Sequence, residues 1–485
     1  MAGLKFTVAA PVAAHPLRAD IALFVGFVTS RRGAVSNRPV EVDSWEVFDD
    51  RFAWDQRSAQ PNGGDSADTY LGAAVRAFFD AGGRKCWVVA AGDPWPLQGR
   101  RDSERQYDLL PRDHQFSTLD RESWRGIAHV LGLPEVSFLC LPDLPDLFAI
   151  PPPAPRPAPP PTSPELFVEC GSRLPTPPGL RRLAFAAPRC DRDGFQRWAT
   201  FVARVGRFLS AHGREVQLVA AVPQPVDQPA ARAAQWDTIE FFAAAREQTP
   251  PPLLKVGAAF VQLAYPWARL RNGARIPEAL EPPDGLLAGV LANNALVRGT
   301  FQSAAGTRLP AVVSVTPELG RNELERIVPA TDPEMRALLD RVSLIGPGPG
   351  GIELLSDVTT DGDEAYRPAN VNRLVSAIVR AARLAGELHV FDNNGEELWG
   401  RLRDSIGGFL TDLWHDGALE GVSVDEAFTV KCDRSTMTQN DLDAGRVLVT
   451  IQFTASAPIT EINVVLSMDE GGQVSRWSAG RKEAA

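Results

Sequence analysis

Cys432 is the side chain best suited by type to nucleophilic chemistry, and His389 and His415 are the histidines that could serve as its base. Such a pair needs a thiolate and a third group to orient the imidazole. No nucleophile motif surrounds Cys432, and a cysteine between Val430 and Asp433 reads as a core-facing thiol. The six histidines (His15, His114, His129, His212, His389 and His415) include no pair four residues apart, so a helical zinc site is not supported. The five cysteines (Cys86, Cys140, Cys170, Cys190 and Cys432) contain no C-x-x-C pair; they read as reduced, buried thiols of a chain that folds in a cytoplasm. The run GPGPGG, Gly346 to Gly351, suggests a phosphate loop, but it lacks the Gly-Lys-Ser/Thr ending and its two prolines remove amide donors. A tight turn between strands is the better reading. Asp433, Asp441 and Asp443 do not make a calcium loop, because Ser435 and Met437 occupy the third and fifth positions and no glycine occupies the sixth. They read as turn caps. The expectation is a protein with no catalytic residues, no cofactor and no metal, which turns attention to assembly.

The elements that carry these residues follow from periodicity. Ala19 to Val28 and Lys85 to Ala91 are short apolar runs ended by glycine, as buried strands are. Between them Tyr70, Leu71, Ala74, Val75, Phe78 and Phe79 recur at helical spacing, with Gly82-Gly83 as the stop. Strand, helix, strand is a βαβ unit and predicts a parallel or mixed sheet covered by helices. The alternation continues with a helix near Ser123 to Leu131, a strand at Val136 to Leu141, a helix at Phe195 to Ala211 and a strand at Val216 to Pro223. A further segment near Leu180, a helix at Asp237 to Arg246, the run Phe260 to Leu270 and a helix at Leu286 to Asn294 follow. Pro151 to Pro164 is dominated by proline and reads as an extended linker or surface loop. From Arg341 the pattern is strand, turn, strand.

The C-terminal quarter has the strongest pattern. Val371, Leu374, Val375, Ile378, Val379 and Ala382 form one helical stripe, which leaves Arg373, Arg380 and Arg383 for the other face. A second helix from about Glu396 to His415 places Leu398, Trp399, Leu402, Ile406, Phe409, Leu410, Leu413 and Trp414 on a broad apolar face. Arg401, Arg403, Asp404 and Asp412 fall outside that face and read as solvated charges. Two alternating strands follow, Val447 to Phe453 and Ile462 to Met468, and the segment from Asp469 to Ala485 reads as a loose tail.

Composition removes several function classes. At 485 residues with 44% hydrophobic and 23% charged residues, the chain is an ordinary globular protein of two or three domains. A net charge of -10 offers no general attraction for nucleic acid or anionic lipid. No apolar run approaches the roughly 18 to 20 residues that span a bilayer. Lys5 and the apolar Phe6 to Ala14 resemble a signal peptide, but Pro11 and His15-Pro16 fit one poorly, and an extended arm is the plainer reading.

The C-terminal text resembles the C-terminal domain of phage tail sheath proteins and of their relatives in contractile injection systems. The motifs are Leu398-Trp399, Phe409-Leu410, Leu413-Trp414, Gly417-Ala418-Leu419, Glu426-Ala427-Phe428, Cys432-Asp433, Thr438-Gln439 and Asp443-Ala444-Gly445-Arg446. ADIALFVGFV near the start, AYPWARL, and PPDGLLAGVLANNALVRGTF extend the likeness to both ends and the middle. The resemblance implies a mixed α/β fold: an N-terminal arm (1–18), a sheath core (19–356) containing the proline-rich linker (151–164), a C-terminal sheath domain (357–468) and a flexible tail (469–485). It implies hexameric rings stacked helically around an inner tube protein, baseplate and cap proteins as further partners, and contraction that drives the tube through a target envelope. It also implies cytoplasmic assembly into a phage tail or an injection particle. Strand exchange between subunits would fall on Phe6 and Val8 of the arm and on Ile462, Val464, Leu466 and Met468; Leu398, Trp399, Phe409, Leu413, Trp414 and Phe428 would form the domain core; and Arg401, Arg403, Asp404, Asp412, Arg434 and Arg446 would face the tube or make salt bridges between subunits. The chain departs from the family in its N-terminal MAGLKFTVAAPVAAHPL and in DEAYRPAN before the first C-terminal helix. A minor sheath-like cap or baseplate adaptor therefore stays open, as does a soluble α/β enzyme.

Overall fold

The computed structural model describes residues 18–31, 36–61, 63–99, 101–151, 185–226, 259–319, 340–363, 366–389, 392–443, 445–456, 462–468 and 474–476. The proline-rich stretch after Pro151, the segment at Leu180, the helix expected at Asp237 to Arg246 and the arm carrying Phe6 and Val8 lie outside the described residues. Two compact units emerge. One comprises 20–297 and 303–362, and the other takes in the residues up to Ala19, the short excursion Arg298–Gln302, and the chain from Asp363 onward.

The larger unit is built on an eight-stranded sheet. Its strands are β1 (Ala22–Phe27), β2 (Pro39–Val42), β3 (Cys86–Gly92), β4 (Phe138–Cys140), β5 (Gln217–Ala221), β6 (Val261–Tyr265), β7 (Val342–Gly348) and β8 (Gly351–Leu354), in the order β8-β7-β6-β5-β4-β1-β3-β2. The six inner strands are parallel, and β2 and β8 close the edges antiparallel. In β1, Leu23, Val25 and Phe27 enter one core and Ala22 and Phe24 the other, so both faces are covered. That is why these strands read as continuous apolar runs rather than alternating ones.

Helices α1 (Tyr70–Asp80) and α3 (Asp284–Val297) cover one face, and α2 (Arg192–His212) covers the other. Thr69 caps α1 by accepting from the Gly72 N–H, and Asp191 caps α2 by accepting from the Gly194 N–H. Helix α3 is largely apolar around its circumference, as suits its buried stretch from Asp284 to Ala292, and only its last residues, Leu296 and Val297, are exposed. It lies against α1 so closely that a Cβ at Gly285 would stand 2.3 Å from the Ala74 carbonyl oxygen, and one at Gly289 2.4 Å from that of Phe78. Only glycine fits at either position.

One expectation for this unit needs correction. The segment Ser123 to Leu131 is no α-helix; two 3-10 turns, Arg121–Ser123 and Gly126–Gly132, take its place because Gly126 adopts φ +53° and interrupts the helical path. The run Phe260 to Leu270 is two strands, since Pro266, lacking an amide donor, separates β6 from Trp267–Leu270, which pairs instead with Val312–Thr316. GPGPGG holds the expected tight turn between strands: Gly346 to Gly348 end β7, Gly351 opens β8 opposite Gly348, and Pro349 and Gly350 connect them.

The smaller unit contains helices α4 (Ala369–Glu387) and α5 (Glu396–His415) and a four-stranded antiparallel sheet. The sheet order is β9 (Phe428–Lys431), β10 (Val447–Phe453), β11 (Ile462–Met468), β12 (Val474–Arg476). Among the described residues no helix is long and apolar enough to cross a membrane.

Candidate assembly interface

The core of the C-terminal unit assembles from the expected residues. Leu398, Trp399, Phe409 and Leu413 are buried together with Val371, Leu374 and Ile378 of α4 and Val449, Ile451 and Phe453 of β10; Trp414 and Phe428 pack on it while remaining partly exposed. The two tryptophans also satisfy their indole N–H groups: Trp399 donates to Asn394 Oδ1 at 2.8 Å, and Trp414 donates to the Gly421 carbonyl at 3.0 Å. Each ring is held at both its apolar and its polar end.

The arginines of α4 differ from expectation. Arg373 is buried, donating to the Thr300 carbonyl at 3.4 Å, and Asn370 Nδ2 donates to the Phe301 carbonyl at 2.8 Å. Arg380 donates to the Arg18 carbonyl at 2.9 Å. The excursion Arg298–Gln302 thus belongs to α4, a contact across some 70 residues of sequence that the periodicity of α4 alone does not reveal.

The sheet is where this unit meets the requirements of assembly. β10 and β11 pair over seven residues, from Val447 opposite Met468 to Phe453 opposite Ile462. Val474–Arg476, within the expected loose tail, adds a short strand to the far side of β11. At the other end, β9 pairs with β10 through Thr429 opposite Gln452 and Val430 opposite Ile451, and no described strand pairs with its outer edge. The Thr454 N–H donates to the Ala427 carbonyl, which fixes Ala427 and, two residues on, Thr429 as the positions bonded inward. The backbone groups of Phe428 and Val430 therefore face away from β10, where the Phe428 N–H is taken by the Val424 carbonyl and Val430 lies at the outer edge. An unpaired edge of this kind is a template for another strand.

The charged candidates divide into paired and unpaired sets. Arg401 bridges Glu397 at 2.7 Å and Asp392 at 3.1 Å, and Arg446 reaches Asp441 at 3.2 Å, within the chain. Arg434 donates to Gln439 Oε1. Arg403, Asp404 and Asp412 are exposed and make no ion pair within 4 Å among the described residues.

The chemistry weighed from sequence finds no arrangement to support it. Cys432 is buried, and burial pushes its thiol up to about 11, away from thiolate character. His389 is engaged with Asp392 at 2.8 Å, while His415 is exposed beside Trp414. Asp433 accepts from the Ser435 hydroxyl and, at 2.7 Å, its N–H, and Asp441 from the Thr438 hydroxyl and, at 3.0 Å, its N–H, so both close turns, and these bonds, the hydroxyls first, hold both carboxyls below the usual range.

The larger unit supplies a group of residues that sequence reading missed. Its inner strands follow the order in which open α/β sheets bind ligands beyond the carboxyl ends of the strands where the winding reverses, here between β1 and β4. The protein's own ions fill that position. Asp146 accepts from Arg57 at 2.6 Å, Trp95 at 3.0 Å and Arg101 at 2.8 Å, with Arg57 and Asp146 almost fully buried. Asp143 accepts from the Phe27 N–H at 2.7 Å at the end of β1. Burial raises a carboxyl, but the Arg101 and Arg57 guanidiniums outweigh it at Asp146 and hold that group low; at Asp143 burial prevails and pushes it up to about 7. The crevice that would hold a substrate is packed and ion-paired.

Residues 361–468 match the family described as the phage tail sheath C-terminal domain. Among solved structures, a chain of the anti-feeding prophage (AFP) baseplate in contracted state shares 16% identity with a TM-score of 0.59, covering 94% of this chain and 95% of that one. A chain of the AFP helical sheath in contracted state shares 18% with a TM-score of 0.54 (94% and 96% covered). One from the contracted PVC sheath complex of an extracellular contractile injection system shares 17% with a TM-score of 0.54 (94% and 94% covered). Among curated proteins, no sequence matches the chain. At these identities the structural likeness establishes the fold. Residues 361–468 are thus similar to the phage tail sheath C-terminal domain, and the chain that carries them shares the mixed α/β fold of contractile sheath proteins.

Proposed function

We propose that this protein is a structural subunit, not an enzyme, of a contractile sheath in a tail-like injection particle. Copies would form hexameric rings, stack helically around an inner tube, and shorten to drive the tube through a target envelope. Cytoplasmic assembly, capping proteins and a baseplate complete the reading. The observation that carries it is the C-terminal sheet: a domain similar to that of sheath proteins, whose β9 edge has no strand beside it among the described residues. β11, with Ile462, Val464, Leu466 and Met468, and the arm with Phe6 and Val8 are the segments we assign to exchange with neighbouring copies. Backbone pairing satisfies amide groups whichever chain supplies the second strand, so a sheet made in one copy can be completed across two. Arg403, Asp404 and Asp412, without ion pairs among the described residues, are the charges we assign to an inner tube or a neighbour.

The test is negative-stain microscopy of the purified full chain beside a truncation lacking Ile462 to Ala485. Tubes from the full chain and folded, unassembled truncation are expected. Normal tubes from the truncation would contradict the strand-exchange reading. A second reading, a ring-forming baseplate adaptor or cap, is favoured by the AFP baseplate chains that share this fold, with TM-scores of 0.56 and 0.59. Single rings that never stack would select it.

A further inference from the structure

Beside β2 the larger unit has a depression of about 630 Å³ lined by Arg38, Arg121, Arg125, Trp124, His129 and Asn37. Its frame is built around Asn37, whose backbone is in the left-handed region at φ +57°. The Asn37 N–H donates to the Ala90 carbonyl at 2.7 Å, its Nδ2 donates to the Trp124 carbonyl at 2.9 Å, and its Oδ1 accepts from the Gly126 N–H at 3.0 Å. The Asn37 carbonyl lies 2.8 Å from His129 Nε2, so that nitrogen carries the hydrogen. Burial is the main cause that lowers His129, and the nearby Arg38 adds to it. The imidazole is thus a neutral part of the wall.

The cations are the arginines. Arg38, Arg121 and Arg125 are all exposed, and none makes an ion pair within 4 Å among the described residues; Arg121 lies over the Trp124 ring at 5.7 Å. Glu122 is the one carboxylate of the lining and likewise makes no ion pair. Elsewhere in the same unit surface arginines find acids: Arg31 with Asp55 at 2.6 Å and Arg189 with Glu278 at 3.1 Å. Three like charges around one concavity repel one another, and a chain with 60 acidic against 50 basic residues has acidic surface to spare.

We infer that this pocket docks a carboxylate-bearing segment of a second copy of the chain. The inference rests on the sheath reading, since only an assembly presents second copies in fixed register. Guanidiniums are suited to this role because they bind carboxylates through paired N–H donors, and Trp124 gives the contact an apolar floor.

The experiment compares the critical concentration for assembly, by sedimentation and microscopy, for the full chain and two triple variants. R38E/R121E/R125E is expected to raise it about tenfold or more, the sum of three weak exposed pairs. R38K/R121K/R125K keeps the charge but loses the paired N–H donors, so it is expected to fall between the parent and the glutamate variant, and rising sodium chloride should narrow the differences among all three. A glutamate variant that assembles like the parent overturns the inference while leaving the sheath reading intact. Calorimetric binding of inorganic phosphate to the parent, lost in the glutamate variant without any change in assembly, overturns it in favour of a small-anion site. A parent chain that stays monomeric overturns the sheath reading and removes the proposed occupant with it.

Discussion

The residues with the strongest electrostatic demands in this protein lie inside it. Asp146 neutralises Arg57 and Arg101 at 2.6 and 2.8 Å in a site closed to solvent, so Asp146→Ala would leave two guanidiniums without a counter-charge. Removing one partner of a buried pair costs about 3–5 kcal/mol, and denaturant titration of this variant should show a loss of that size. A second group behaves in the opposite sense. Burial pushes Asp284 up to about 8, against the pull of the Gly285 amide, and Glu281 up to about 8 as well. A carboxyl raised in the folded state binds more protons there than in the unfolded chain, so its contribution to stability is complete below its ordinary value near 4 and is lost as pH rises toward 8. The melting temperature of the larger unit should therefore fall between pH 5 and pH 8.5. Asp284→Asn, which cannot titrate, should lose less over the same range, and an unchanged slope would remove Asp284 as the cause. None of this was legible from sequence, because Arg57 and Asp146 stand 89 positions apart and only the winding of the sheet brings them together.

Legibility improves for the elements, where the signal is periodic. Helices α4 and α5 and strands β10 and β11 lie close to where their apolar spacing places them; α4, α5 and β10 each bury one face and so carry a regular pattern. β9 has no such signature: four residues, partly exposed, following directly on a short helical turn at Val424–Ala427. Its position as an unpaired edge is set by the sheet rather than by its own sequence. Two changes probe these elements. Leu413→Ala removes a buried side chain from α5 and should destabilise the C-terminal unit by about 2–5 kcal/mol, read from thermal unfolding. Val430→Pro deletes an amide that points away from β10 and should leave the monomer folded while blocking assembly, whereas Val430→Ala controls for lost packing. Equal assembly by the proline variant and the parent would show that the β9 edge is not used.

At the scale of the whole molecule, two separate cores imply two unfolding events. The larger unit holds its apolar residues on the two faces of one sheet, and the C-terminal unit holds its own cluster between α4, α5 and β10. A chain of this kind does not unfold in a single cooperative step, and calorimetry of the monomer should resolve two transitions. They can be assigned independently: Leu413→Ala should move one, and raising the pH from 5 to 8.5 should move the other. Assembly then provides the decisive contrast. A partner that binds the folded form stabilises it in proportion to the logarithm of its concentration, so strand exchange should raise the transition of the unit that trades strands. Above the critical concentration the C-terminal transition should climb with protein concentration in the parent and stay fixed in Val430→Pro. If both transitions prove independent of concentration while tubes are present, the sleeve is held together by surfaces other than the C-terminal sheet.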